Sequence, residues 1–303
     1  MLSGTVQRGQ GGVYEVQTPD GVVEAVLRGR LKRDERTGDK VVVGDRVDVE
    51  QERAGEQTVW AIHNVHARTT VLARKAPGKA PRPKPIVANV DQVLIVFAAA
   101  HPDPHLRMLD RFLVIAASSD IAPVIVVNKT DLAGEEATRR LFAPYERAGY
   151  EVHYTAAKQG TGVDTLRQAL CGRLSALAGP SGVGKSSLLN AVQPGLGLRV
   201  SEVSQAVNKG RHTTVTAQLI PLECGGWVAD TPGLREVGLW EIEPDQLQFY
   251  FPEFEPLLGG CRYPTCTHTH EPGCAVRAAA DRGEVDPGRY DSYQRMFLGE
   301  DEL

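Results

Sequence analysis

The sequence predicts a multidomain α/β protein in three parts: an N-terminal OB-like β-barrel, a central domain on a parallel sheet, and a mostly helical, metal-binding C-terminal region. Three observations predict it. Short segments with partial period-two alternation fill residues 1–66. Continuous apolar runs alternate with helical stretches between residues 93 and 178. Three of the five cysteines crowd into positions 261–274, beside His268 and His270.

The barrel rests on segments at residues 5–6, 13–16, 22–27, 46–49 and 58–62, with Asp20-Gly21 as a hairpin signal. About five short strands in this length fit a small closed barrel, of which the OB-fold is one among several. It is expected to span residues 1–67. Residues 68–85 carry Pro77, Pro81, Pro83 and Pro85 among six basic side chains (Arg68, Arg74, Lys75, Lys79, Arg82, Lys84) and no acidic one. They read as an exposed basic linker with little regular structure, either a solvated tether or a contact for phosphate backbones.

Charge is unevenly spread. The net charge of the 303 residues is −4, which does not by itself advertise nucleic-acid binding. Residues 1–85 hold 15 basic and 11 acidic side chains, whereas residues 86–303 hold 19 and 27. Positive charge is thus segregated toward the N-terminal end, where it can meet phosphates. No apolar run is long enough to span a bilayer, and Met1-Leu2-Ser3-Gly4-Thr5 lacks the apolar core of a signal peptide. A cytoplasmic protein with no membrane partner is expected, acting as a monomer.

The central domain is expected at residues 86–239. Apolar runs at 93–97 and 124–127 read as buried parallel strands, with further strands at 151–154 and 175–178 and helices near 105–118, 134–148 and 163–173. Gly179, Pro180, Ser181, Gly182, Val183, Gly184, Lys185 and Ser186 fit G-x-x-x-x-G-K-[ST] in full, between a predicted strand and a predicted helix that continues with Ser187. Such a loop curls backbone N–H groups around phosphate oxygens, with Lys185 reaching the β- and γ-phosphates and Ser186 ligating Mg²⁺. Asp230-Thr231-Pro232-Gly233 follows a predicted strand. Asp230 can hold Mg²⁺ and the Gly233 N–H can meet the γ-phosphate.

Asn128-Lys129-Thr130-Asp131 follows another strand. A carboxylate at Asp131 can accept hydrogen bonds from guanine's ring N–H and exocyclic amine, where adenine presents the wrong donors. Asn128 can brace the loop and reach the base, and the Lys129 stem can lie over the purine. Thr155-Ala156-Ala157-Lys158 sits at the next strand end and resembles a loop whose backbone N–H recognises guanine O6. Between the phosphate loop and Asp230, Gly210-Arg211-His212-Thr213-Thr214 is the candidate switch, with Thr214 favoured over Thr213 as a Mg²⁺ ligand. Leu234 stands where Ras-like enzymes place a Gln that orients water, and His212 is the nearest polar substitute. GTP is therefore the expected substrate. An ATPase and a GTP-gated RNA-binding module with incidental hydrolysis are the alternatives.

The C-terminal region is expected at residues 240–303. Cys261, Cys266, His268 and Cys274 supply three thiolates and one imidazole, a closed set for one structural Zn²⁺, with His270 as an alternative to His268. Cys171 and Cys224 read as packing residues. The aromatic residues of 248–254 read as core rather than as a base-stacking platform.

The motif order is the reverse of the usual one: the guanine-reading segments precede the phosphate loop. Joining the old termini and opening the chain elsewhere gives this order on the same sheet, so the central part is a circularly permuted P-loop GTPase domain. The C-terminal region then follows Asp230 directly, which suggests that it is wired to the nucleotide-sensing element while the barrel enters on the guanine side. The whole arrangement resembles the circularly permuted small ribosomal subunit biogenesis GTPases, the RsgA or YjeQ family. Its most specific pieces are the segment 179–190, the segment 210–214, Asp230–Gly233 and the Cys261/Cys266/His268/Cys274 spacing. The resemblance implies GTP hydrolysis stimulated by the small (30S) ribosomal subunit, a role late in its assembly, and contact with its 16S rRNA. It also implies His268 as the zinc ligand and His212 as the hydrolytic residue. The chain departs from the family pattern at Val215, where a third threonine is common.

Overall fold

The computed structural model describes residues 1–29, 31, 40–54, 57–75, 83–198, 217–230 and 242–300. The strands are β1 (Leu2–Gln10), β2 (Val13–Thr18), β3 (Gly21–Leu27), β4 (Arg46–Ala54), β5 (Gln57–Val65), β6 (Val71–Lys75), β7 (Pro83–Ala88), β8 (Gln92–Ala98), β9 (Ala122–Asn128), β10 (Glu151–Tyr154), β11 (Leu174–Ala178), β12 (Gln218–Pro221) and β13 (Trp227–Asp230). The helices are α1 (Leu106–Ser118), α2 (Thr130–Ala133), α3 (Glu135–Arg147), α4 (Val163–Leu170), α5 (Lys185–Val192), α6 (Ala275–Asp281) and α7 (Pro287–Leu298), with 3-10 turns at Pro244–Tyr250 and Pro252–Leu257. Among the described residues, no helix is long and apolar enough to cross a membrane.

The chain divides into two compact units, each drawn from three separate stretches. One comprises residues 1–93, 167–177 and 204–237. Its first five strands pair in the order β1-β2-β3-β5-β4, and β4 returns to β1 to close the barrel. Alternation explains the closure: Val6, Val16, Ala25, Leu27, Val47, Val49 and Ile62 point inward and form its core. Beyond the barrel, β1 meets β12 at Arg8↔Gln218, β12 runs antiparallel to β13, and β13 runs parallel to β11.

Two expectations fail in this unit. The basic segment after residue 67 is not without regular structure: β6 and β7 form a two-stranded antiparallel sheet. Pro85 is tolerated because a register shift between Leu72 and Ala73 relaxes the ladder beside it, and Pro83 because it opens its strand. Arg68 is not available to phosphate in the way its neighbourhood suggests. Its guanidinium makes paired contacts to the buried Asp45, Nε to Oδ1 at 2.7 Å and Nη2 to Oδ2 at 2.9 Å. Second, Cys171 and Cys224 are not isolated packing residues. They are joined as a disulfide, with Cα atoms 5.2 Å apart across a sequence separation of 53. Sequence spacing cannot show that a sheet register brings them together.

The other unit comprises residues 94–166, 178–203 and 238–303. The strand β9 is flanked by β8 and by β10, which pairs with it in parallel from Glu151↔Val124 to Tyr154↔Val127. Every residue of β8 is buried, as the continuous apolar run requires. The C-terminal helices pack in this unit around Phe251, Phe254, Val276, Val285 and Tyr293, and Val114 of α1 joins the same cluster. The aromatic segment is therefore core at Phe251 and Phe254, while Phe249 is exposed.

Candidate functional site

The phosphate loop follows β11 and ends where α5 begins. Two of its glycines are dictated by neighbours. Gly179 has φ +123°, and a Cβ there would stand 2.1 Å from the Val96 carbonyl oxygen. Gly184 has φ +95°, and a Cβ there would stand 2.5 Å from Asn128 Nδ2. No L side chain fits either position without moving its neighbour. Gly184 also sets the left-handed cap from which α5 starts. Leu188, Leu189 and Val192 anchor that helix, so its first amides sit on a fixed base for an anion. Lys185 Nζ donates to Gly179 O at 2.8 Å and Pro180 O at 2.6 Å. Ser181 and Gly182 are exposed, Val183 is buried, and Ser186 and Ser187 are half-buried on the first turn of α5.

Asn128 closes β9 and is buried. Its Oδ1 accepts from Thr155 Oγ1 and from the Ala157 N–H, both at 3.2 Å, while its Nδ2 donates to Val183 O at 2.9 Å. One carboxamide thereby ties the three motif-bearing loops of this unit. Its orientation follows from its partners, two donors on one end and a carbonyl on the other. Lys129 has φ +61°, and its amine donates to Gly182 O at 2.7 Å and also to His101 O. Burial, with help from the charge of Lys158, pushes that amine below its ordinary pKa. Asp131 is exposed, and Gln159 Nε2 approaches its Oδ2 at 3.4 Å.

These loops surround a cavity of about 140 Å³ lined by Asn128, Lys129, Asp131, Leu132, Ala157, Lys158, Gly184 and Ser187. Guanine-motif residues and phosphate-loop residues thus share one pocket. Thr155 and Ala156 stand behind it: they are buried at 0% and 2% exposure and support the loop rather than line the cavity. The lining positions of that loop are Ala157 and Lys158. Both lie inside the segment the sequence marks, but spacing alone does not say which of its backbone amides faces the cavity.

His212, Thr213, Thr214, Gly233 and Leu234 lie outside the described residues. Asp230 ends β13, its backbone opposite Gln218 of β12.

The C-terminal cluster is tight. The donor atoms of Cys261, Cys266, His268 and Cys274 all lie within 4.8 Å of one another. His268 Nδ1 is 3.5 Å from Cys261 Sγ and 3.4 Å from Cys274 Sγ. Its Nε2 faces Gln248 Oε1 at 2.8 Å, which fixes the ring with Nδ1 turned toward the sulfurs. The amides of Ala275 and Arg277, at the start of α6, each point at a cysteine sulfur at 3.3 Å. Burial pushes the Cys266 thiol up to about 12 and pushes His268 below the imidazole range. Three thiols and an imidazole crowded this closely can give up their protons to one shared cation, and the three-sulfur, one-nitrogen set suits zinc. His270 is exposed and belongs to no such group among the described residues.

A phosphate loop and a guanine-type loop on one pocket, with the guanine motif first in the chain, define a circularly permuted P-loop GTPase. Known proteins agree. A family model described as RsgA GTPase matches residues 65–240, and one described as RsgA N-terminal domain matches residues 3–59. The chain is 55% identical to the small ribosomal subunit biogenesis GTPase RsgA of Gemmatimonas aurantiaca, over 97% of this chain and 96% of that one. It is similar in structure to YjeQ from Thermotoga maritima, with a TM-score of 0.78, 35% identity and 98% of each chain covered. It is also similar to YloQ, a circularly permuted GTPase, with a TM-score of 0.77, 30% identity, and 99% and 94% covered. The chain belongs to the RsgA family of GTPases and is a GTP hydrolase.

Proposed function

We propose that this enzyme hydrolyses GTP to GDP and phosphate under stimulation by the small ribosomal subunit, and acts late in the assembly of that subunit. The observation that carries the nucleotide reading is the shared cavity, in which Asn128 ties the guanine loops to the phosphate loop. Asp131 accepts from the guanine N–H groups, the Lys129 stem and Lys158 flank the base, and the Ala157 segment meets O6. The amides of residues 182–187 and Lys185 take the phosphates. Ser186, Thr214 and Asp230 hold Mg²⁺. A hydroxyl on the first turn of α5 is the hard oxygen donor that such a cation prefers, and when bound the ion neutralises charge on the β- and γ-phosphates. Leu234 cannot orient water, so His212 takes that role.

The subunit reading is supported by the names of the relatives and by the positive balance of residues 1–85, which suits 16S rRNA. Cys261, Cys266, His268 and Cys274 hold one Zn²⁺ with no open position, which supplies structure rather than catalysis.

The test is GTP turnover against a titration of purified small subunits, with the natural chain and with His212→Ala. Stimulation is expected to be at least ~10-fold, and the stimulated turnover is expected to fall by ~10²-fold or more in the variant, the scale of a lost general base or water-orienting group. Leu234 specifically favours a second reading, a GTP-gated RNA-binding module with incidental hydrolysis. Turnover that small subunits leave unchanged, with their binding still dependent on GTP, establishes that reading instead.

A further inference from the structure

We propose that Cys171 and Cys224 form a reversible dithiol–disulfide site, opened and closed by low-molecular-weight thiols, that pins the two strands leading to the phosphate loop and to Asp230.

The sheet register places the pair. The parallel strands β11 and β13 align Leu174↔Trp227, Ser175↔Val228 and Ala176↔Ala229. Cys171 stands three residues before Leu174, and Cys224 three residues before Trp227. Equal offsets put the two cysteines opposite each other at the leading ends of the strands, with Cα atoms 5.2 Å apart. That separation lies inside the range a disulfide spans. At their far ends, β11 runs into Gly179 and β13 ends on Asp230. The loop closed by the bridge contains residues 179–187 and 210–214.

Reversibility follows from access and from the surrounding bonds. Cys224 is exposed in the turn between β12 and β13, and Cys171 is half-buried after α4. A buried structural bridge resists exchange, while an accessible one is open to it. The contact does not depend on the bridge. Trp227 N–H donates to Arg173 O at 2.8 Å and Leu222 N–H donates to Gly226 O at 2.8 Å. When open, the Cys171 thiol has an acceptor at hand, the Arg167 carbonyl oxygen 3.1 Å from its sulfur.

The chemistry is thiol–disulfide exchange with a small disulfide RSSR. The Cys224 thiolate attacks one sulfur of RSSR, forming a mixed disulfide and releasing RS⁻. The Cys171 thiolate then attacks the Cys224 sulfur and releases the second RS⁻. The protein loses two protons and two electrons, and RSSR becomes two RSH.

The full-length chain is equilibrated with mixtures of reduced and oxidised glutathione, quenched by alkylation, and mapped by peptide mass. The expected result is a Cys171–Cys224 bridge that predominates at the oxidised end, is absent at the reduced end, and crosses over between. Closing the loop raises the melting temperature on the order of 5 °C. It also lowers GTP turnover by roughly 3-fold or more, because the two strands that lead to the phosphate loop and to Asp230 are tethered to each other. Cys171→Ser and, on the exposed turn, Cys224→Ser lose all three responses. A pair that stays alkylatable at every ratio, or stays bridged at every ratio, overturns the proposal. A bridge that forms with no change in turnover overturns its regulatory half. The mass readout does not depend on the nucleotide reading, whereas the turnover readout does, so the two fail separately.

Discussion

Asn128 commits both ends of its carboxamide to neighbouring loops, whereas Asp131 is exposed, and the two should therefore fail in different ways. Asn128→Ala leaves the Ala157 N–H and the Val183 carbonyl without their partner. The Val183 carbonyl is buried, and orphaning it costs about 1–3 kcal/mol, whereas the half-buried Ala157 N–H can turn to water. The variant is expected to melt earlier and to lose guanine-nucleotide affinity by ~10-fold or more, since the cavity walls are no longer held together. Asp131→Ala removes a contact of 3.4 Å to Gln159 and an exposed attraction to the Lys129 amine, both weak in water. Its melting should stay unchanged while its preference for GTP over ATP disappears. Thermal melts and competition of GTP and ATP against a fluorescent GDP analogue check both. An Asp131→Ala protein that still prefers GTP would remove guanine reading from this loop. Residue identities here are legible in the sequence because the chemistry demands particular side chains at fixed spacing. Backbone donors are not: any residue supplies an N–H, so Ala157 could not be told from Ala156 before the loop's path was known.

Among the elements, the C-terminal knuckle has the least backbone structure to hold it. The segment from Cys261 to Cys274 contains neither helix nor strand. Its shape rests on side chains. Tyr290 OH donates to His268 O at 2.7 Å, Tyr293 OH to Thr267 O at 2.9 Å, and Thr267 Oγ1 to Glu271 Oε1 at 2.6 Å. A metal that crosslinks four such positions contributes folding free energy directly. Elemental analysis of the purified chain is expected to give one zinc equivalent. Stripping it with a strong chelator, or replacing Cys266 by Ser, should lower the melting temperature by several degrees and speed proteolysis within residues 258–274, with zinc restoring only the unmutated chain. An undiminished melt in metal-free protein would sink the structural role. The three cysteines of the cluster are legible from residue type and spacing, whereas spacing leaves His268 and His270 open and the structure brings His268 to the sulfurs. The β6–β7 pair was not legible, because proline and charge counts describe a tether as well as they describe two edge strands. The disulfide was equally hidden, since it is a product of β11–β13 register and not of local sequence.

For the whole chain, sequence adjacency and membership of a compact unit are separate matters. The C-terminal region follows Asp230 in the sequence, and residues 231–241 between them lie outside the described residues. The barrel shares a compact unit with β12 and β13, and the C-terminal helices share one with the guanine motif. The join is Arg289 on α7, buried at 2% exposure. It donates to Asp110 of α1 at 2.8 Å and to Glu253 at 2.8 and 3.1 Å, and its guanidinium lies 4.6–5.4 Å from the ring centres of Phe251, Tyr145 and Tyr150. Arg289→Met would strand Asp110, which also accepts from Tyr145 OH at 2.8 Å. The expected loss is about 3–5 kcal/mol, the cost of an uncompensated buried charge. The loss should depend on pH. Burial already pushes Asp110 above the carboxylate range, against the attraction of Arg289. Without that attraction the folded-state pKa rises further, so stability is greatest at low pH, where the carboxyl is protonated in both states. It declines as pH rises from the unfolded carboxyl's value to the raised folded one, where the unfolded chain has lost the proton and the folded one keeps it. Denaturant melts of the variant at a series of pH values should therefore show a deficit that grows with pH. The double variant Arg289→Met/Asp110→Leu should recover much of the stability and flatten the pH dependence. A single variant that loses under about 1 kcal/mol at every pH would mean that water, not Arg289, satisfies Asp110, and that the tail is held by its apolar face alone.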